Sequence, residues 1–193
     1  MNGTGLPLDT LQRLDSFRVA PGARGRSAIT VQLWWMVQAT AFRWSPQVAY
    51  GWRRWLLRRF GATIGERVLI RPSVTVTYPW KLSIGDFSWV GDDAVLYSLA
   101  PIAIEAHAVV SQRSYLCAAD HDCGLPDFPI RERPITIRRG AWVATDVFVG
   151  PGVTVGENAV VGARSSVFKD VPAGMICHGN PCRPVRPRPG ALP

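Results

Sequence analysis

The chain has 193 residues, 47% of them hydrophobic, and a formal net charge of +8 carried almost wholly by arginine. That length fits one domain with a small appendage and is enough to bury a core. No charge-free apolar run of about eighteen residues occurs, so no membrane-spanning helix is expected.

Residues 1–30 are rich in Gly, Arg and Ser and read as a loosely structured arm without the layout of a signal peptide. Residues 31–61 read as helical. Leu33, Trp34, Val37, Ala41 and Trp44, then Tyr50, Trp52, Trp55, Leu56 and Phe60, recur at helix-like spacing. Ser45-Pro46 separates two helices, with Ser45 placed to cap the second and Gly61 to stop it. Arg53, Arg54, Arg58 and Arg59 stand beside Trp52 and Trp55. Such a helix either lies on an anionic membrane surface or packs its tryptophans on the domain and leaves its arginines in water. The second arrangement is the expectation. No nucleic-acid-binding motif accompanies the patch, so no nucleic acid is expected as a partner.

From residue 62 a period of six takes over. Ile64, Ile70 and Val76 are six apart, as are Ile84, Val90, Leu96 and Ile102. After a two-residue slip, Ile104, Val110 and Leu116 resume the series. Ile137, Val143, Val149, Val155, Val161 and Val167 keep it without interruption. Neither a helix nor a hairpin sheet holds such a period, whereas a solenoid does. Each hexad is then a short strand and a corner, and three hexads close one coil of roughly eighteen residues. The β-helix is expected over 62–176, followed by a Pro- and Arg-rich tail at 177–193.

The longest break in the beat is a loop at 117–136. A solenoid gains no stability from such an interruption, and long ordered loops usually carry function. It contains Cys117, Asp120, His121, Asp122 and Cys123. His121 reads equally well as a general base or as a loop histidine bonded to a neighbouring carboxylate; Asp120, Asp122, Glu132 or a backbone carbonyl could orient its ring. The Cys117, His121, Cys123 spacing lacks the paired pattern of a zinc site, and no metal is expected. Four cysteines do not make a secreted disulfide scaffold; free thiols in a cytoplasmic protein are the simpler expectation.

Several longer segments carry a resemblance: Arg71–Val74, Tyr78–Lys81, Asp120–Asp122, Gly162–Pro172 and Gly179–Pro181. With the hexads, they resemble the hexapeptide-repeat acyltransferases, and most nearly the colanic-acid-type acetyltransferases. The resemblance implies a mainly β fold, a left-handed parallel β-helix with an N-terminal helical appendage and an extruded loop. It implies an O-acetyltransferase that moves acetyl from acetyl-CoA to a hydroxyl of a saccharide-like acceptor, working as a homotrimer with interfacial sites. His121 matches the family's general base. Thr145 is the candidate oxyanion donor through its N–H. Trp142, Ala163, Lys169, Arg183 and Arg186 match positions near the cofactor. Gly162 would let the pantetheine arm approach the backbone. Asp92, Asp93 and Tyr97 are candidate acceptor contacts. A non-catalytic β-helix scaffold is the alternative. A γ-carbonic-anhydrase-like metal protein is more distant, because His107, His121 and His178 are not spaced as its ligands.

Overall fold

The computed structural model describes residues 12–190. From Thr63 onward the chain winds as a three-faced parallel β-helix. The first face stacks Thr63–Ile64, Leu82–Ile84, Ile102–Ile104, Ile135–Ile137 and Thr154–Val155. The second stacks Leu69–Ile70, Trp89–Val90, Val109–Val110, Trp142–Val143 and Val160–Val161, and the third Thr75–Val76, Val95–Tyr97, Tyr115–Cys117, Phe148–Val149 and Ser166–Val167. Five coils are complete and Val171 begins a sixth through a bridge to Val155.

The hexad residues point inward as the periodicity predicts. Ile70, Val76, Val90, Leu96, Val110, Leu116, Val143, Val149, Val155 and Val161 are all buried in one continuous core. Full burial of each stabilises by about 1.5–3 kcal/mol. The two-residue slip has a physical cause: stacked first-face positions are twenty residues apart in the early coils, as in Ile84 beneath Ile104, but eighteen apart later, as in Ile137 beneath Val155, so the early coils carry two extra residues at the corner before the first face. Corners turn through left-handed residues such as Asp93, Arg113, Asp146 and Arg164, all with φ between 55 and 57°.

The excursion leaves the ladder after Cys117 and returns at Ile135, which pairs directly with Ile102. Within it, Ala119–His121 and Ile130–Glu132 form an antiparallel hairpin. At the far end, Met175–Gly179 pairs parallel with Val160–Val161, and Cys182–Pro187 folds back on it antiparallel as the edge strand. The tail is thus part of the second face, with its prolines confined to an edge as the missing N–H requires.

The N-terminal helices differ from expectation in three ways. Helix α1 spans Ala28–Val37, begins inside the stretch read as an arm, and is capped by Ser27, whose hydroxyl accepts from the Thr30 N–H. It runs on through a π-turn at Gln38–Phe42. Helix α2 spans Tyr50–Arg59 and is preceded by Ala49, with no side-chain cap; Ser45 instead donates to Phe42 O and accepts from Arg53.

Most notably, α2 is turned the other way round. Arg53 is fully buried, while Trp52 and Trp55 are 43% and 52% exposed. The open end of a β-helix explains this, since the first coil has no coil beneath it to take up its main-chain groups. Arg53 donates to Ile70 O, Arg54 to Val68 O, and Arg58 to Ile64 O and Gly65 O. The buried Trp34 indole donates to Val76 O, and the Gln38 side-chain Oε1 accepts from the Val76 N–H. Guanidinium groups are needed where carbonyls must be met, and the tryptophans are left outside.

Candidate active site

His121 ends the first strand of the hairpin. Its Nδ1 lies 2.7 Å from Phe128 O, and its ring stacks on Phe128 at 4.2 Å between centroids. A carbonyl only accepts, so Nδ1 carries a proton, and in the neutral ring the lone pair is on Nε2. The loop carboxylates do not orient the ring. Asp120 is held by Arg131 and Arg133, and the hydrogen bond from Arg131 foremost pushes its pKa below the usual carboxylate range. Asp122 accepts from the Gly124 N–H, and Glu132 pairs with Lys81 at 3.1 Å.

The other candidate residues fall on two edges of the prism. The edge between the second and third faces carries Asp92 and Asp93, then Thr145, then Ala163, with Arg183 above them just past the Gly179–Pro181 turn. Trp142 leans toward this edge, its indole donating to Ser111 Oγ at 2.9 Å. The Thr145 hydroxyl donates to Gln112 O, while its N–H meets no acceptor among the described residues. Ala163 is small and exposed, Arg183 is exposed, and Arg186 stands exposed farther along the edge strand. The edge between the third and first faces carries the His121 hairpin and, two coils on, Lys169. One chain therefore does not bring His121 together with Thr145.

An outward aromatic ladder covers the third face between the two edges. Tyr97, Tyr115, Phe148 and Phe168 follow one another at 5.7–6.0 Å. Tyr97 sits low in this ladder, across the face from the two aspartates it was grouped with. Asp92 is already engaged, accepting from Arg71 Nε at 2.8 Å and from Ser73 Oγ. Asp92, Asp93, Ser111, Gln112 and Arg113 line a pocket of about 550 Å³. Above it Arg113 clasps Asp146 through two bonds, which hold that carboxyl below its ordinary range. This clasp was missed in the sequence, because its partners are 33 positions apart and meet only through coil stacking.

Gly162 proves to serve packing. A Cβ there would lie 2.8 Å from His178 Cβ, so the close approach of the next coil requires glycine at this position. His178 itself is exposed, and His107 is a corner residue stacked on Phe87. Among the described residues no three His, Cys, Asp or Glu side chains converge as a metal site. Burial raises the thiol pKa of Cys117, Cys177 and Cys182 above the ordinary value, so none is poised as a nucleophile.

No family model matches the chain. It is 59% identical over 178 residues, 92% of its length, to the protein named colanic acid biosynthesis acetyltransferase WcaF of Escherichia coli (strain K12), and spans 98% of that protein. A hexapeptide-repeat acetyltransferase of Vibrio cholerae O1 biovar eltor, solved with acetyl-CoA, matches at a TM-score of 0.75 and 25% identity, over 84% of this chain and 91% of that one. A galactoside acetyltransferase solved with coenzyme A matches at 0.75 and 23% identity, over 95% and 92%. The fold is the left-handed parallel β-helix expected from the hexads and their family resemblance. On these grounds the chain belongs to the hexapeptide-repeat acetyltransferases, in the colanic-acid-biosynthesis group.

Proposed function

We propose that the protein transfers acetyl from acetyl-CoA to a hydroxyl of a saccharide-like acceptor, at sites shared by neighbouring copies in a closed trimer. The carrying observation is the hydrogen bond from His121 Nδ1 to Phe128 O, which makes Nε2 the basic nitrogen of the neutral ring. The separation of candidate residues onto two edges supports the shared site. The His121 edge of one copy would face the Thr145 edge of the next, and closed symmetry repeats the junction three times.

The residues fit the donor. Lys169, Arg183 and Arg186 are exposed and form no ion pair among the described residues, as phosphate-facing cations should be. The exposed Trp142 and small Ala163 offer a flat wall to a narrow arm. Bound acetyl-CoA supplies an already activated thioester, so a protein nucleophile is unnecessary. His121 Nε2 takes the hydroxyl proton as oxygen attacks and returns it to the departing sulfur. The uncommitted Thr145 N–H holds the charge developing on the carbonyl oxygen.

His121→Ala tests the assignment, read as CoA thiol release with a panel of saccharide acceptors. The folded variant should still bind CoA and lose about 10²–10⁴ in turnover. Near-wild-type turnover in that variant overturns the role of His121.

A further inference from the structure

The fifty residues from 16 to 65 contain eight arginines and no Asp, Glu or Lys. The other fourteen basic residues equal the fourteen acidic ones, so this segment holds the whole net charge of +8. None of its eight arginines forms an ion pair among the described residues. Arg53, Arg54 and Arg58 are occupied at the open end of the β-helix, but Arg24, Arg26, Arg43 and Arg59 are exposed and donate no side-chain hydrogen bond there.

The same segment exposes large apolar side chains in an ordered way. Helix α1 is apolar all round: Val31 and Trp34 face the core, while Ile29, Leu33 and Met36 form a stripe on the opposite side, Ile29 at 81% exposure. The stripe continues into Thr40, whose hydroxyl bonds Met36 O, and from there into a shallow, largely apolar groove lined by Thr40, Ala41, Trp44, Ala49 and Trp52. Trp44 is 82% exposed, and Trp52 stacks on Trp55 along the outer side of α2 with Arg59 between them in angle. At the other end, Leu33 borders a pocket of about 530 Å³ lined also by Arg26, Arg58 and Arg59.

We propose that this helical face docks the protein on a bilayer surface containing anionic phospholipid. Tryptophan rings settle at the headgroup level, where an apolar body and a polar N–H are both served. Arginine forks match phosphate oxygens bidentately, and the two uncommitted arginines of that pocket, Arg26 and Arg59, meet a headgroup beside the apolar stripe. Two helices of ten residues each are too short to cross a hydrocarbon core of about 30 Å, so the protein lies on the membrane. Charge decides the occupant: an acid-free face carrying all the net charge complements an anionic surface and would repel a second copy of itself.

The test is sedimentation of the full chain with sucrose-loaded vesicles, of phosphatidylcholine alone and of phosphatidylcholine with phosphatidylglycerol. The protein should pellet with the anionic vesicles, far less with the neutral ones, and progressively less as salt rises. Arg43→Gln/Arg59→Gln should weaken partition about five-fold per arginine. Trp44→Ser/Trp55→Ser should weaken it about ten-fold or more while leaving melting temperature and acetyl transfer to a soluble acceptor unchanged. Failure to pellet with anionic vesicles at low salt overturns the proposal, as does undiminished pelleting of the tryptophan variant. A tryptophan variant of smaller molar mass by light scattering also overturns it, by showing the face to be a contact between copies.

Discussion

Replacing Arg53 by Met keeps the aliphatic stem and deletes the fork. In the structure that fork makes four hydrogen bonds: to Ile70 O at 2.6 Å, Ser45 Oγ at 2.8 Å, Pro46 O at 2.9 Å and Gln47 O at 2.6 Å. The gross gain is at least about 6 kcal/mol at ~1.5 kcal/mol per charge-assisted bond. Against it stands the desolvation of a cation with no acidic partner, and burial does lower its pKa from the ordinary arginine value. In the variant, Pro46 and Gln47 are exposed and their carbonyls regain water. Ile70 O stays buried without a donor at a cost of about 1–3 kcal/mol, and Ser45 loses its acceptor role. The expected net loss is about 2–4 kcal/mol, confined to the helical cap. A solenoid with an appendage need not unfold in one step, so amide exchange is the better assay. Protection of the α2 amides should fall by about 30- to 700-fold, taking 1.4 kcal/mol per ten-fold, with Val143 and Val149 unchanged. Arg53→Lys should be nearly as damaging, because one ammonium cannot reach acceptors arranged for a fork. Unchanged α2 protection, or equal loss throughout the central coils, refutes the view that Arg53 closes the end of the β-helix.

Mixing His121→Ala with Ala163→Tyr chains under conditions of subunit exchange should restore about a quarter of wild-type turnover, since one site in four then combines two intact edges; no restoration means that each chain holds a whole site. Gly162→Ala should destabilise the last coils by about 1–3 kcal/mol through its clash with His178 Cβ. His178→Gly should relieve that loss in thermal melts and His178→Ala should not, because only the first removes the obstructing atom. The pKa of Asp120 is lowered on folding by Arg131, so its pairing stabilises the hairpin above the ordinary carboxylate range and is lost as pH falls through the lowered value. Proteolysis of the 118–134 excursion should therefore quicken below about pH 4 while the coils stay protected, and Asp120→Asn should abolish that pH dependence.

The hexads were legible because each inward residue is fixed by its own coil, whatever lies above or below. Ile137 through Val167 announce the ladder before any pairing is known. The orientation of α2 was not legible. Trp52, Trp55 and Leu56 on a helix normally face a core, and only the bare carbonyls of Ile64, Val68 and Ile70 reverse that preference. The excursion was visible as a break in rhythm, with the ladder broken only at 118–134. A main-chain carbonyl was among the groups that could orient His121, but which one was hidden, since Phe128 O leaves no mark in residue type. The division of candidate residues between two edges follows from counting hexads around the coil, but resemblance alone gathers them into one list.

The fold-back of Cys182–Pro187 has a consequence for the length of the structure. A stack of parallel coils can in principle go on adding rungs, its own or a stranger's, because each rung leaves the next a template. Here the last rung is laid in the opposite direction, and Pro184 and Pro187 remove N–H groups from the outermost strand. At the other end a helix of arginines has taken the free carbonyls. The second face is thus closed at both ends, and along it the column offers a further rung no parallel template.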